Sequence, residues 1–125
     1  MRALVADDDP EFLELMARAL EHLRAEVVCA ASGTELLEEL AGDDPFDVVI
    51  TDVSMPGMTG LQVMHSARTA GLPCPVVIMT ALHDRKTAAQ AVALGDRVVL
   101  LYKPFSIGAL RVALSTCMGG EVPRG

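Results

Sequence analysis

Short apolar runs recur along the chain, and stretches with helical periodicity separate them. Each run is continuous in apolar residues and does not alternate with polar ones. Continuous runs of this length are typical of parallel strands that helices cover on both faces. The five strands predicted in this way are 3–6, 27–30, 48–50, 76–79 and 98–101.

The segments between these strands contain signals for the starts and ends of helices. Asp9-Pro10-Glu11 supplies an N-cap, a proline at the first helical position and an acidic residue in the first turn. The stretch 32–35 fits a capping box, and Gly42 fits a helix end. Three further helices are predicted over about 60–70, about 84–94 and from about 106 to 120.

Five strand–helix units in succession imply right-handed crossovers and an open parallel sheet. The predicted fold is therefore α/β, a flavodoxin-like (βα)5 domain with a five-stranded parallel sheet and helices on both faces. The 125 residues fit one domain, and an apolar fraction of 51% is enough for a core. We assign residues 1–118 to this domain. Residues 119–125 form a tail, the stub of a linker or a remnant of cloning.

The net charge of −7 makes direct binding of nucleic acid by this domain unfavourable. The three cysteines are widely spaced and suggest neither a metal site nor a disulfide framework. Acidic residues begin at Asp7, which does not fit a signal peptide, and no apolar run approaches the length of a membrane span. These features predict a cytoplasmic protein with reduced thiols and no membrane partner.

The stretch VVITDVSMPGMTG places a carboxylate, Asp52, at the end of an apolar strand. Four of the five predicted strands end in ionisable or hydroxyl side chains, and the carboxyl ends of parallel strands form one edge of the sheet. Asp9 is explained best as a helix cap. The side chains expected at this edge are those of Asp7, Asp8, Asp52, Thr80 and Lys103.

Three carboxylates at close range repel one another, so a counter-ion or a bound proton is needed. Oxygen-only ligands without histidine or cysteine favour a hard cation such as Mg²⁺. Lys103 adds a fixed positive charge. A cation, a lysine and a hydroxyl around one carboxylate can neutralise phosphoryl oxygens while the carboxylate attacks phosphorus.

These positions resemble the receiver domains of two-component response regulators. The matching stretches lie within residues 2–118 and are Asp7-Asp8, Asp52, Met55-Pro56-Gly57-Met58-Thr59-Gly60-Leu61, Thr80-Ala81 and Lys103-Pro104-Phe105. The resemblance implies that Asp52 takes a phosphoryl group from the phosphohistidine of a histidine kinase or a phosphotransfer protein. It implies a signalling switch rather than an enzyme, apart from self-catalysed phosphotransfer and autodephosphorylation.

The resemblance also implies a Mg²⁺ site next to the phosphoacceptor. Asp8 would bind the ion directly and Asp7 largely through water. Asp52 would be a further ligand, and the main-chain carbonyl of Ser54 would complete the protein ligands.

Two further residues would contact the phosphoryl oxygens, namely Lys103 and Thr80. The Lys103–Pro104 peptide bond is expected to be cis. Residues 81–118 would form the surface for an effector domain or a downstream protein. The fourth helix, fifth strand and fifth helix within it would allow a homodimer.

One position departs from the family pattern. Family members usually have an aromatic residue three positions before the lysine, and here that residue is Leu100. Tyr102 has the same strand parity, so its ring either takes a displaced aromatic role or covers the end of the fifth helix. The three histidines, His83 among them, are expected to be solvated.

Two alternative functions remain open from the sequence. A Mg²⁺-dependent phosphohydrolase with an aspartyl-phosphate intermediate would typically have a second acid two residues after the nucleophile, where this chain has Ser54. A non-phosphorylated interaction module would not need the intact set of polar residues. A flavin-binding module is disfavoured because no phosphate loop rich in Gly, Ser and Thr follows the first strand.

Overall fold

The computed structural model describes residues 1–119, in which five β-strands alternate with five α-helices. The strands are β1 (Arg2–Ala6), β2 (Glu26–Ala30), β3 (Val48–Asp52), β4 (Val76–Thr80) and β5 (Val98–Tyr102). The helices are α1 (Pro10–His22), α2 (Gly33–Leu40), α3 (Gly60–Thr69), α4 (Arg85–Val92) and α5 (Ile107–Cys117).

The strands form one parallel sheet in the order β2-β1-β3-β4-β5. This order places β1 and β3 side by side in the sheet interior, with β4 and β5 continuing from β3. The predicted flavodoxin-like (βα)5 fold is confirmed. Because all five strands point the same way, their carboxyl ends meet at one edge, where ligands bind in open α/β sheets.

Two apolar clusters fill the two faces of the sheet. One face packs against α1 and α5, whose buried side chains include Leu20 and Leu114. The other packs against α2, α3 and α4, with Leu36 and Met64 fully or almost fully buried. Successive strand residues enter opposite clusters, which is why the strands are continuous apolar runs.

The predicted caps determine where several helices begin. The Asp9 carboxylate accepts hydrogen bonds from the main-chain nitrogens of the first turn of α1. The capping box predicted at Ser32 forms only in part, because Glu35 contacts the Ser32 hydroxyl and not its main-chain N–H. A complete box occurs instead at Thr59, at the start of α3.

The three cysteines are free, as predicted. Of the helices in the described part of the chain, none combines the length and the hydropathy needed to cross a bilayer. Helix α5 ends at Cys117 and Gly119 follows with a φ of 75°. The rest of the predicted tail, and the predicted helix end at Gly120, lie outside the described residues.

Candidate functional site

Two buried carboxylates lie at the carboxyl edge of the sheet. Asp7 follows β1 directly and is 1% exposed, while Asp52 is the last residue of β3 and is 8% exposed. Asp8, the next residue after Asp7, is exposed. One carboxylate oxygen from each of the three lies within 4.8 Å of the others. The structure therefore brings together the three acids that the sequence placed at this edge.

Burial is the main electrostatic influence on Asp52. It raises the pKa of the Asp52 carboxyl above its usual 3.8, the nearby Lys103 ammonium opposes this shift, and the charges of Asp7 and Asp8 add to it. The negative charge on Asp52 is thus destabilised where it stands. A cation bound at this edge would relieve that destabilisation.

Lys103 reaches both buried carboxylates. Its Nζ donates a hydrogen bond to Asp7 Oδ2 at 2.7 Å and lies 3.3 Å from Asp52 Oδ1. Burial alone would lower the pKa of the lysine, but the two carboxylates outweigh it, so the pKa of Lys103 is raised and the side chain stays charged. The Lys103–Pro104 peptide bond is cis, as predicted.

An aromatic side chain that the sequence did not assign to the site supports the lysine. Nζ of Lys103 lies 4.3 Å from the centroid of the Phe12 ring, and this ring meets Phe105 edge to face at 6.1 Å. The Phe12 ring is therefore placed for a cation–π contact with the ammonium group. Phe12 is partly buried and also packs against the apolar cluster between α1, α5 and the sheet.

Thr80 ends β4 next to the lysine and is 2% exposed. Its Oγ1 accepts a hydrogen bond from the main-chain nitrogen of Leu82 at 2.9 Å. Its carbonyl oxygen accepts one from the main-chain nitrogen of Lys103 at 2.8 Å. The hydroxyl is therefore held by the loop that leads into α4.

Two glycines shape the loop between β3 and α3. Gly57 has a φ of 80°, a conformation that residues with a Cβ rarely adopt. A Cβ on Gly60 would overlap the main-chain oxygen of Asp52, and Gly60 N donates to Val53 O at 3.1 Å. Ser54, whose carbonyl was predicted as a metal ligand, lies exposed at the start of this loop.

Leu100, the position at which the sequence departs from the family pattern, and Tyr102 lie in different surroundings. Leu100 is half-buried and packs against the cluster under α2, α3 and α4. Tyr102 is 36% exposed, and its ring stacks on His83 with centroids 4.1 Å apart and planes inclined by 10°. The stack on His83 was not predicted. The sequence feature that could have indicated it is that His83 lies close to Thr80 along the chain and Tyr102 lies next to Lys103.

The donor set fits a Mg²⁺ ion. The three carboxylates offer only oxygen ligands, and they lie close enough to share one ion. Asp7 and Asp52 are buried, and within residues 1–119 Lys103 is their one cationic partner. Mg²⁺ is a hard divalent cation that is usually bound by one or two protein carboxylates together with water, and this set of ligands can provide them.

The chain matches the family model of the response regulator receiver domain over residues 3–115. It belongs to that family. It is 33% identical over 115 residues to "Regulator of RpoS" from Escherichia coli (strain K12), a match that covers 92% of this chain and 34% of the relative. It is 36% identical over 112 residues to "Response regulator MprA" from Mycobacterium avium (strain 104), covering 88% and 47% of the two chains.

Solved structures of receiver domains have the same fold. A receiver domain protein from Clostridium thermocellum superposes with a TM-score of 0.85 at 29% identity, and the match covers 94% of each chain. This receiver domain spans about a third to a half of the curated relatives above. Receiver domains are phosphoacceptors that generally bind Mg²⁺ and interact with histidine kinases and effector domains.

Proposed function

We propose that Asp52 of this receiver domain accepts a phosphoryl group from the phosphohistidine of a histidine kinase or a phosphotransfer protein. The observation that supports it is the buried Asp52 carboxylate with a lysine ammonium 3.3 Å away and two further carboxylates alongside. Burial raises the pKa of Asp52 and thereby marks it as a group that gains from added positive charge.

In the proposed step an Asp52 Oδ atom attacks phosphorus. A P–O bond forms, the P–N bond to the donor imidazole breaks, and its electron pair returns to the imidazole nitrogen. Lys103 has three N–H donors, and it contacts only two carboxylate oxygens among the described residues. The third N–H is available to a phosphoryl oxygen, and the Thr80 hydroxyl supplies another donor.

We further propose that Asp8 and Asp52 bind Mg²⁺ directly, Asp7 largely through water, and Ser54 through its main-chain carbonyl. When bound, the ion would supply positive charge for the phosphoryl oxygens. The three carboxylates within 4.8 Å of one another support this ligand set.

We also propose an interaction surface and a cytoplasmic location for this domain. Residues 81–118 form the surface for an effector domain or a downstream protein, and α4, β5 and α5 form the surface for a homodimer. The domain acts in the cytoplasm. It does not contact nucleic acid itself, and its net charge of −7 supports this second statement. Its only catalysis is its own phosphorylation and dephosphorylation.

The phosphohydrolase alternative has less support. Ser54 occupies the position where a general acid would stand, and it is exposed. The alternative of a non-phosphorylated interaction module leaves the two buried acids, Asp7 and Asp52, and Lys103 without a role.

A small P–N donor tests the proposal. Phosphoramidate with Mg²⁺ should add one phosphoryl group per wild-type chain and none to Asp52→Asn. Asp43→Asn, which changes an exposed acid in the loop between α2 and β3, is the matched control and should behave as the wild type. Phosphorylation that persists in Asp52→Asn would refute the assignment, and sustained hydrolysis of p-nitrophenyl phosphate would favour the phosphohydrolase.

A further inference from the structure

Tyr102 and His83 form a stacked pair beside the site. The ring centroids are 4.1 Å apart, and the planes are inclined by only 10°. Tyr102 is the last residue of β5, and His83 lies in the loop between β4 and α4. Both residues are exposed, so the stack joins two segments at the surface and fills no part of the core. It ties this loop to the end of β5.

The same two segments hold Thr80. Leu82, the residue before His83, donates its main-chain N–H to Thr80 Oγ1 at 2.9 Å. On the other side, Thr80 lies opposite Tyr102 in the register of β4 and β5, and the Thr80 carbonyl accepts a hydrogen bond from Lys103 N. A contact that fixes the loop relative to β5 therefore fixes the surroundings of the threonine hydroxyl.

The hydrogen bond from Leu82 determines whether the Thr80 hydroxyl is left to donate or to accept a hydrogen bond from a ligand. A hydroxyl group has one proton to donate and two lone pairs to accept. Thr80 Oγ1 accepts from Leu82, and within residues 1–119 its proton has no acceptor. A phosphoryl oxygen needs a donor, and a donor that is already oriented loses less conformational entropy on binding.

We infer that His83 and Tyr102 are positioning residues, whose stack holds the Leu82 N–H on Thr80 Oγ1 and so keeps the hydroxyl proton free for a phosphoryl oxygen. The inference rests on the proposed function, because the phosphoryl group in question is the one on Asp52. In this role both rings act through Thr80 and not on the phosphoryl group itself.

Beryllofluoride, a mimic of the phosphoryl group, provides the affinity test when titrated with Mg²⁺ into the protein. His83→Ala and Tyr102→Ala should each weaken its binding by about two- to tenfold, the range that the stacking of one aromatic pair gives. His83→Phe and Tyr102→Phe retain a ring and should stay close to the wild type. His65→Ala removes an exposed histidine of α3 and is the matched control.

The double variant separates a shared role from two independent ones. If the rings act as a pair, the double variant His83→Ala/Tyr102→Ala should bind beryllofluoride no more weakly than the single variant with the lower affinity. Losses that simply multiply would overturn the inference, and so would unchanged or tighter binding in either single alanine variant.

Amide hydrogen exchange of Leu82, measured without beryllofluoride, tests the stack independently of phosphoryl binding. The exchange rate should rise in both alanine variants and not in the two phenylalanine variants, because the Leu82 N–H loses its fixed acceptor only when a ring is lost. Unchanged exchange would refute the inference while leaving the proposed function intact. A wild-type protein that does not bind beryllofluoride would count against the proposed function itself.

Discussion

Lys103 is the charged partner that two buried carboxylates share. Its ammonium donates to Asp7, which is 1% exposed, and lies 3.3 Å from Asp52. Removing one partner from a buried ion pair is costly because the remaining charge keeps its desolvation penalty. The lysine side chain is 24% exposed, so solvent screens part of that cost here.

Lys103→Met should lower the free energy of unfolding in Mg²⁺-free buffer at neutral pH by about 1–3 kcal/mol. Methionine can still pack on the Phe12 ring, so the decrease in stability reports mainly the removal of the positive charge. Lys86→Met, at an exposed lysine of α4, is the matched control and should change stability by less than about 0.5 kcal/mol. Urea denaturation gives both values, and equal stability of the two variants would contradict this account.

The raised pKa of Asp52 predicts a pH dependence with a definite sign. The folded protein holds the Asp52 proton to higher pH than the unfolded chain, so in Mg²⁺-free buffer the stability from this group is greatest below the ordinary value of 3.8. It decreases as pH rises through the folded pKa. The free energy of unfolding of the wild type should therefore fall relative to that of Asp52→Asn above pH 3.8.

Urea denaturation of both proteins across about pH 4 to 7 measures this difference, because carboxyl groups away from the site titrate alike in both proteins and cancel. What remains is the titration of Asp52 together with its effect on Asp7 and Asp8. A difference that grows in favour of the wild type as pH rises would show that the pKa of Asp52 is lowered on folding. That result would mean that Lys103 outweighs burial.

At the scale of elements, the start of α3 packs closely against the end of β3, which holds Asp52. Gly60 is the first residue of α3, and a Cβ there would overlap the Asp52 carbonyl oxygen and lie 2.7 Å from Thr51 Oγ1. Both obstacles belong to the buried end of β3, which has little room to shift.

Gly60→Ala should therefore lower the free energy of unfolding of the domain by ~1–3 kcal/mol or more. Gly108→Ala is the matched control, because a Cβ at Gly108 in α5 meets its nearest atom at 3.6 Å, an ordinary contact. That control should instead stabilise by ~0.5–1 kcal/mol through helix propensity. Thermal unfolding distinguishes the two, and a neutral Gly60→Ala would contradict the close approach of α3 to β3.

At the scale of the whole molecule, the acidic edge predicts that Mg²⁺ stabilises the fold. Binding at 100 times the dissociation constant should add about 2.7 kcal/mol to the free energy of unfolding. Asp8→Asn removes an exposed acid of the cluster without leaving a buried charge unpaired, and it should remove most of this gain. A wild-type melting temperature that does not respond to Mg²⁺ would contradict the metal site.

Much of this molecule could be predicted from local sequence signals. The strands and helices lie within a few residues of their predicted bounds because caps such as Asp9 act over one helical turn. The polar edge followed from strand direction alone. The Phe12 contact and the stack of Tyr102 on His83 could not be predicted, since they depend on side-chain rotamers and on the path of a loop.

Reductive trapping can show whether Asp52 forms the proposed acyl phosphate. After treatment with acetyl phosphate and Mg²⁺, borohydride reduces an aspartyl phosphate to homoserine, whose position peptide mass spectrometry identifies. This account predicts homoserine at position 52 in the wild type and none in Asp52→Asn. Homoserine at position 7 or 8, or a phosphorylated wild-type protein that yields none, would contradict it.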